Sequence, residues 1–567
     1  RNYQLSSTSL ALNAGTDLTS ATSPVTIDIL GVSRPQGGTF DIGAYEPIVS
    51  TINASSLSLN STSDICVLNG GTLNIDANIV VKSVIEGPGA KLTLNTGNTI
   101  TTGSLTLQSN SSGTATFVDN TTNGGLTVTG TTTVQQYLPT ARNWYISSPV
   151  SGATTPSGYT VFQYNEPGDN QDLSVLNSTA YWKGLAQGSS FTVGRGYIAL
   201  PSSGPVTLNY TGTLNNGTVT TAALTRTTNA SKLGFNLVGN PYCSYLNLAT
   251  LDTTANIWGS YWLRTRNSGN TAYAFDTYNL TSALGTFLSG KPATSYIPPM
   301  QSFWVRVKQG GGSPTISFTN TMRSHINNAN NVFRAPSANQ QTQQVLYLDV
   351  TNGENMDQTI LAFNPNASNG LDAYDSPKMS NGSASIPEIF TSVGSDQLAI
   401  NGMNSIPYDT EIPIGFTTGT AGTFSIKASQ LSNFENGTKI ILKDYQDSNN
   451  PVITSLSDGS SYTFSSVVTT NNSSRFALIF KAPSSTTGIN PETINNLWFS
   501  TQNGQIMING VNGNGARLEV YNAVGQKVFL GNLTSSNTPL NTKFAAGTYL
   551  VKLSSNGYSL TKKIVID

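Results

Sequence analysis

The chain has 567 residues, which is enough for about three to five domains of ordinary size. Only 10% of the residues are charged, and 28 basic residues against 29 acidic ones leave a formal net charge of -1. This balance excludes a basic surface that could neutralise phosphates, so we expect no nucleic-acid partner. A hydrophobic content of 37% excludes a wholly disordered chain, and 53 glycines beside many Ser, Thr and Asn residues predict strands joined by frequent turns.

The small numbers of histidines and cysteines limit the metal sites, disulfides and catalytic mechanisms that the chain can have. The single histidine, His325, excludes a His-rich metal site and any mechanism that needs two imidazoles. Cys66 and Cys243 are far apart in the sequence and predict neither a disulfide framework nor a zinc site. No apolar run reaches the length of about 18 residues that a membrane-spanning helix needs. The chain begins at Arg1 without a methionine or an apolar leader, so we expect a processed or truncated C-terminal portion of a longer protein.

Residues 1–50 form a loop-rich segment in which a Pro-Gly turn leads into a short strand. Three pieces of it are informative: residues 12–15 (Leu-Asn-Ala-Gly), 34–38 (Arg-Pro-Gln-Gly-Gly) and 41–46 (Asp-Ile-Gly-Ala-Tyr-Glu). Together they resemble the closing segment of bacterial right-handed parallel β-helix proteins. The resemblance implies that residues 1–50 are the C-terminal end of a parallel β-helix that lies upstream of Arg1.

Residues 51–137 contain short segments in which apolar and polar residues alternate, the pattern of half-buried strands. The clearest are Thr72–Ile75, Lys91–Leu94, Ser104–Leu107 and Leu126–Val128. Gly and Asn turns separate them at irregular spacings, which predicts a short β-solenoid-like segment rather than a strict repeat.

Residues 138–335 hold five of the six tryptophans, and the strand pattern continues. The order of residues 143–149 (Asn-Trp-Tyr-Ile-Ser-Ser-Pro), 236–242, 300–305 and 322–323 resembles a β-sandwich module found near the C-terminus of many secreted Bacteroidota proteins. Two interpretations of the tryptophans are open: a platform that stacks on sugar rings, or core positions on inner sheet faces, which the residue type favours. The five are Trp144, Trp182, Trp258, Trp262 and Trp304.

Residues 336–481 predict a second β-sandwich, because residues 345–350 and 475–480 alternate as strands do. Residues 372–379 resemble part of the companion sandwich in the same secreted proteins. Residues 482–487, which are rich in Pro, Ser and Thr and lack an apolar period, predict a linker.

Some carboxylates fit a metal or hydrolase hypothesis. Glu166, Asp169 and Asp172 could bind calcium through oxygen, but they lack the spacing of a known calcium loop. Asp372 and Asp375 suggest the paired carboxylates of a glycosidase, yet nothing in the sequence fixes the separation that this chemistry requires. We therefore expect turn or interstrand hydrogen bonds for these residues, and no cofactor.

Two further motifs are weak. Ser324 beside His325 suggests a nucleophile and its base, but no orienting acid can be identified, so we predict no catalytic residue. Residues 252–254 (Asp-Thr-Thr) resemble a short O-glycosylation acceptor of secreted proteins, although the third position is not hydrophobic.

Residues 488–567 predict a small antiparallel sandwich of about seven strands. Three ordered motifs lie within it: residues 520–526 (Val-Tyr-Asn-Ala-Val-Gly-Gln), 546–552 (Ala-Gly-Thr-Tyr-Leu-Val-Lys) and 562–566 (Lys-Lys-Ile-Val-Ile). They resemble the Ig-like, type A C-terminal sorting domain of the type 9 secretion system of Bacteroidota. The residues expected to carry the sorting signal are Tyr521, Gly525, Gln526, Gly547, Tyr549, Lys552, Lys562, Lys563, Ile564, Val565 and Ile566.

The resemblance implies the partners of this domain. It would meet the outer-membrane translocon and a β-barrel shuttle protein, and a sortase-like peptidase would cut in the linker near residues 481–490 to free the cargo or attach it to lipopolysaccharide. Gly525 and Gly547 allow tight turns, and the ring of Tyr549 is expected in the core. The last strand is expected to turn its apolar side chains to the core and its lysines to solvent, and it offers an edge to which a receptor could add a strand.

These observations predict an all-β, multi-domain protein: a β-solenoid or β-helix end, β-sandwiches and a sorting sandwich. The leading hypothesis is a non-enzymatic protein that crosses the periplasm and outer membrane to become extracellular or surface-displayed, with an adhesin-like or carbohydrate-contacting cargo. The alternative is the accessory and sorting part of a secreted polysaccharide-degrading β-helix enzyme.

Overall fold

A computed structural model describes residues 11–566 apart from several gaps. The gaps are residues 12, 19, 22, 24, 30–31, 33, 35–39, 43–47, 49, 69, 123, 175–177, 229–232, 252–255, 267–272, 289–292, 326–342, 484–497, 503, 510–515, 534–537, 541 and 556–557. Most of the β-helix closing motif, the 252–254 triplet and most of the predicted linker therefore lie outside the described residues. The described chain consists of strands and three single-turn 3-10 helices (Ala54–Ser56, Leu248–Thr250 and Asn320–Met322), which confirms the predicted all-β class.

The chain forms two compact units, one within residues 1–434 and 440–480 and the other within 435–439 and 481–567. The first unit starts with strands that mostly pair in parallel, apart from a short antiparallel hairpin within residues 109–114. Their bounds are β1 Thr51–Asn53, β2 Asp64–Val67, β3 Thr72–Ile75, β4 Ile79–Glu86, β5 Lys91–Leu94, β6 Ile100–Leu107, β7 Ser109–Asn110, β8 Gly113–Thr114, β9 Thr116–Asp119 and β10 Leu126–Leu138.

Two parallel sheets take strands alternately along the chain. One has the order β1-β3-β5-β9, and the other runs β2-β4-β6-β10. Leu73, Leu92 and Phe117 pair in register across the first sheet, and all three are fully buried. The apolar positions of the alternating segments therefore face one shared core, and the polar positions between them lie on the opposite face of the sheet.

The next part of the first unit is antiparallel and rich in aromatic residues. Its strands are β11 Trp144–Ile146, β12 Val150–Ser151, β13 Tyr159–Tyr164, β14 Trp182–Leu185, β15 Tyr197–Pro201, β16 Val206–Leu214, β17 Val219–Thr220, β18 Phe235–Gly239, β19 Tyr245–Asn247, β20 Ser260–Arg266, β21 Tyr273–Asn279, β22 Leu284–Gly285, β23 Tyr296–Ile297, β24 Ser302–Arg306, β25 Ser317–Phe318 and β26 Arg323–Ser324. The long strand β10 joins the two parts, because it pairs in parallel with β6 and antiparallel with β16.

The remainder of the first unit is one eleven-stranded sheet. Its strands are β27 Gln344–Thr351, β28 Met356–Phe363, β29 Ser376–Pro377, β30 Glu388–Val393, β31 Asp396–Met403, β32 Glu411–Thr418, β33 Gly422–Ser432, β34 Lys439–Asp444, β35 Val452–Leu456, β36 Ser461–Ser466 and β37 Thr469–Lys481. The sheet order begins with β35 and ends with β36, and only residues 457–460 join these two strands. The sheet therefore curls into a nearly closed barrel around one apolar core.

Buried hydrogen bonds tie this sheet to the aromatic-rich part. The Trp262 indole N–H donates to the Pro377 carbonyl at 3.1 Å, and the hydroxyls of Ser260 and Ser376 lie 2.7 Å apart. The Asn279 side-chain amide donates to backbone carbonyls of the same segment. Because these groups are buried, β20 and β21 are held firmly against residues 373–377.

The second unit contains two antiparallel sheets around one core. Its strands are β38 Trp498–Gln502, β39 Gln505–Asn509, β40 Ala516–Asn522, β41 Lys527–Leu533, β42 Thr538–Pro539, β43 Gly547–Ser555 and β44 Tyr558–Ile566. One sheet has the order β38-β39-β42 and the other β41-β40-β43-β44. Apolar residues of both sheets, such as Ile508 and Val551, pack in the shared core.

A buried guanidinium links the parallel sheets to the strands that follow. Arg323 donates to the Phe117 carbonyl at 2.6 Å and to the side-chain oxygens of Asn216 and Asn320 at 2.6 and 3.1 Å. Asn216 in turn donates to the Asp119 carboxylate at 2.6 Å, so the charge of Arg323 is balanced through one intervening amide. This network fixes β9 against segments from much later in the sequence.

Replacing Arg323 by methionine should therefore lower the free energy of unfolding of the first unit by about 3–5 kcal/mol, because several buried acceptors lose their donor. Urea denaturation followed by tryptophan fluorescence would measure this change.

The matched control is Lys183→Met. Lys183 is 37% exposed and pairs with the equally accessible Asp172 at 3.4 Å, so its loss should change stability by less than about 0.5 kcal/mol. Equal urea midpoints for Arg323→Met and Lys183→Met would contradict the role assigned to Arg323.

Candidate functional site

The expected sorting-signal residues lie on β40, β43 and β44, which are neighbours in one sheet, and in the turn after β40. Tyr549 on β43 is buried in the core of the second unit, as the sequence predicts. Its hydroxyl donates to the Ala545 carbonyl at 3.0 Å, and its ring contacts Phe544 with centroids 5.3 Å apart. Tyr549 therefore anchors the segment that leads into β43.

The turn between β40 and β41 depends on Gly525, whose φ of +82° is the left-handed region that favours glycine. The Gly525 N–H donates to the Asn522 carbonyl at 3.0 Å. The Asn522 side-chain oxygen accepts the backbone N–H groups of Val524 and Gln526 at 3.2 and 2.9 Å. The motif over residues 520–526 thus encodes a strand followed by a tight turn.

Strand β44 is at one edge of its sheet and, among the described residues, pairs only with β43. Ile564 and Ile566 are buried, whereas Lys562 and Lys563 are exposed, as predicted. Val565 differs from the prediction that the apolar residues of this strand enter the core, because its side chain points to the other face and is 55% exposed. Within the described part of the second unit, no strand pairs with the outer edge of β44, and an edge strand of this kind can accept a strand of another chain.

The outer face of this sheet carries an ionic cluster around Glu519. Its carboxylate accepts Lys527 at 2.6 Å and also contacts Arg517 at 3.3 Å. Hydrogen bonds from Lys527 and Tyr521 lower the pKa of Glu519 to about 2. Lys552 lies opposite Glu519 in the sheet, so positive charge predominates on this face.

A second candidate site lies in the first unit. A cavity of about 700 Å³ and a neighbouring cavity of about 400 Å³ share Asn143, Tyr145, Arg264 and Tyr273 in their linings. We call these two cavities the aromatic–arginine cleft. Each of these volumes is in the range of small-molecule binding sites.

The tryptophans divide between the core and this cleft. Trp262 and Trp304 are 0% and 1% exposed, so the favoured interpretation as core residues is correct for them. Trp144 and Trp182 are half-buried and line the larger and smaller cavities respectively. Trp258 is half-buried and packs against the buried cluster that contains Trp262 and Trp304.

Three arginines line the larger cavity and stack on aromatic rings. The Arg142 guanidinium lies 3.8 Å from the Trp144 ring centroid, and Arg264 lies 3.7 Å from that of Tyr273. Arg266 donates to the Tyr273 hydroxyl at 3.3 Å. Burial lowers the pKa of Arg142, and the nearby guanidiniums lower it further. Such stacking holds each charged group rigidly.

Sequence reasoning did not single out these arginines. The available signal was the alternation of Trp262, Arg264 and Arg266 along β20, which places all three side chains on one face of the strand. The first is buried and the next two are partly exposed, so the face runs from the core into the cleft.

The suspected calcium ligands do not converge. The Glu166 carboxylate is buried and accepts the backbone N–H groups of Thr227 and Gly234 at 3.0 and 2.9 Å. Asp169 and Asp172 instead bond side chains of their own loop. Over the described ranges, no three metal-ligating side chains form a group.

The suspected paired carboxylates, Asp372 and Asp375, accept hydrogen bonds from the backbone. Asp375 is buried and accepts the backbone N–H groups of Asp372 and Gly402 at 2.8 and 2.9 Å. Burial raises the pKa of Asp375 to about 7. Asp372 accepts the N–H groups of Ser368 and Tyr374 at 2.6 and 2.7 Å. These are the turn and interstrand roles that the sequence favours.

His325 is enclosed by two threonines. Its Nδ1 lies 2.7 Å from the Thr116 hydroxyl and its Nε2 3.1 Å from that of Thr93. Burial lowers the pKa of His325 to about 3, and the charges of Lys91 and Arg323 act in the same direction. The imidazole is therefore neutral at physiological pH, and both of its nitrogens are occupied by the threonines.

The buried neutral imidazole gives a pH prediction. Between about pH 6.5 and pH 3 the unfolded chain protonates His325 and the folded protein does not, so this residue makes the fold less stable as pH falls. Between about pH 7 and pH 5, the wild type should lose about 1–2 kcal/mol more free energy of unfolding than His325→Gln. Urea titrations of both proteins at the two pH values measure the difference, and parallel pH dependences would refute it.

Comparison with known families adds to this description. A family model described as "Domain of unknown function (DUF8693)" matches residues 43–480, and one described as "Secretion system C-terminal sorting domain" matches residues 501–567. No curated protein matches the chain. The second match confirms the predicted sorting domain, and with it export by the type 9 secretion system and interaction with that machinery. No helix within the described residues is long and apolar enough to cross a membrane.

Proposed function

The chain belongs to the family described as "Domain of unknown function (DUF8693)", and we propose that it is a non-enzymatic, adhesin-like protein that contacts carbohydrate at the cell surface or in the extracellular space. Its sorting domain carries it there. The observation that carries the proposal is the aromatic–arginine cleft, in which half-buried aromatic rings and polar groups line a space of small-ligand size.

The non-enzymatic part of the proposal is supported by how the candidate catalytic groups are used. His325 has both ring nitrogens against threonine hydroxyls, and the Asp375 carboxylate accepts two backbone N–H groups. A general base needs a free nitrogen or oxygen within reach of the proton that it takes. These two groups therefore serve the fold.

We place the second unit as a type A, Ig-like sorting domain of Bacteroidota, in line with the three motifs that resemble it. Its two antiparallel sheets and single core are consistent with this assignment. The unpaired outer edge of β44 is the element that we propose a translocon component or the shuttle protein engages. A sortase-like peptidase would cut in the linker before the domain.

The accessory-part alternative has one observation in its favour. The two parallel sheets of β1–β6, β9 and β10 have the alternating strand order of a β-solenoid, the architecture expected after an enzymatic β-helix. The two proposals share the same export route and differ in what the cargo does.

The export proposal is tested by localisation. In a host with this secretion system, a fluorescent cargo fused to residues 488–567 should reach the surface or the medium. The same fusion without residues 549–567 loses Tyr549 and all of β44, so it should remain in the periplasm. Cell fractionation and fluorescence measure both outcomes.

A point variant separates the signal from the fold. Lys563→Gln changes an exposed residue of β44 and should leave the thermal unfolding of the domain unchanged, whereas Ile564→Lys should unfold it. Equal localisation of the intact and truncated fusions would refute the assignment of residues 488–567 as the export signal.

A further inference from the structure

The aromatic–arginine cleft carries positive charge. Arg142, Arg264 and Arg266 line the larger cavity, and no aspartate or glutamate belongs to the described lining of either cavity. Each of the three arginines stacks on a ring within the cleft. In a chain whose net charge is only -1, this is a local concentration of fixed positive charge.

Some residues that line the cleft carry buried donors without a partner. The Tyr164 hydroxyl, the Asn381 side-chain N–H₂ and the Arg142 Nε–H have no hydrogen-bond acceptor among the described residues. Tyr164 is only 5% exposed and Asn381 belongs to the same cavity lining. Three residues that line the cleft therefore carry donors that the fold itself leaves unsatisfied.

The apolar part of the cleft indicates that the ligand also has an apolar face. Tyr164 packs edge-on against Trp182 and Trp304, with ring centroids 5.1 and 4.6 Å away. Trp182 is half-buried, so this cluster presents part of an aromatic surface to the smaller cavity. An aromatic surface beside hydrogen-bond donors suits a ring that has an apolar face and oxygen atoms at its rim.

We infer that the aromatic–arginine cleft binds a saccharide that carries carboxylate groups, such as an oligomer of uronic acids. The sugar ring packs beside Trp182, and its carboxylate accepts from the guanidiniums of Arg142 and Arg264. This inference rests on the proposed carbohydrate contact and adds the charge of the sugar. The forked geometry of a guanidinium matches a carboxylate, and ring stacking keeps it oriented.

The test uses the full chain and two matched trisaccharides. Isothermal titration calorimetry would compare trigalacturonate with the neutral galactose trisaccharide, and citrate would report binding of a simple anion. We expect trigalacturonate to bind at least tenfold more tightly than the neutral sugar, and its affinity to fall as salt increases.

Variants assign the binding to the cleft. Arg264→Gln should weaken trigalacturonate at least tenfold and the neutral sugar less than twofold, whereas Arg264→Lys, which keeps the charge but loses the fork, should have a smaller effect. Trp182→Ala should weaken both sugars. Arg517→Gln, which removes an arginine of the second unit, is the charge-matched control and should change neither. Thermal unfolding of each variant confirms that the fold is retained.

The other outcomes separate the inference from the proposed function. Equal affinity for both trisaccharides, unchanged by Arg264→Gln, would overturn the inference and leave carbohydrate contact standing. Binding of citrate as tight as that of trigalacturonate, with no effect of Trp182→Ala, would reduce the cleft to an anion site and overturn the inference. No binding of either sugar would overturn both the inference and the carbohydrate contact, while export would still rest on the localisation assay.

Discussion

The arrangement of the first unit depends on one buried cation, the guanidinium of Arg323. A charge in the interior is tolerated only when its donors are satisfied and its field is balanced, and Arg323 meets both conditions with groups from distant segments. Phe117 lies on β9, the last strand of one parallel sheet, and Asn216 follows β16. The rings of Phe117 and Tyr242 lie 4.9 and 4.7 Å from the guanidinium and exclude water from it. A shift of any of these segments would leave a buried charge or carbonyl unsatisfied.

The geometry of the cleft also depends on buried contacts, those that anchor β20. Strand β20 is anchored at one end by the buried bonds of Ser260 and Trp262 to the segment around Pro377. Its other end, with Arg264 and Arg266, extends from that anchor into the cleft, where each guanidinium rests on an aromatic ring. Preorganised donors of this kind lose little conformational entropy when a ligand binds. The interior contacts and the site are therefore parts of one arrangement.

Local patterns in the sequence were sufficient for the strands and for the sorting domain. Alternation in Thr72–Ile75 and Lys91–Leu94 predicts strands because side chains on a strand point to opposite faces at every second residue, and both segments are strands. The terminal motifs predict a turn at Gly525 and a buried ring at Tyr549 for equally local reasons, and both are present. The exposure of Val565 was missed, because three consecutive apolar residues of a strand cannot all face the core, and Val565 takes the face opposite to Ile564 and Ile566.

Long-range contacts were beyond such patterns. Arg323 and Phe117 are 206 residues apart, and nothing near either residue indicates the other. The division of the tryptophans has the same origin: Trp304 and Trp182 are of one residue type, but the first lies on an interior strand of a five-stranded sheet and the second on an edge strand of a four-stranded one. The cleft is formed where these sheets meet, so its arginines could be found only once the sheets were placed.

The dual pairing of β10 has a consequence for how the parallel part can grow. A stack of parallel coils ends in an exposed strand that could recruit another chain, and stacked repeats need a terminal cap for that reason. Here β16 runs antiparallel along residues 132–138 of β10 and occupies their hydrogen-bonding groups on that side. Additional coils would therefore have to be inserted before β10 rather than added beyond it. The same pairing keeps this part of β10 from recruiting a strand of another chain.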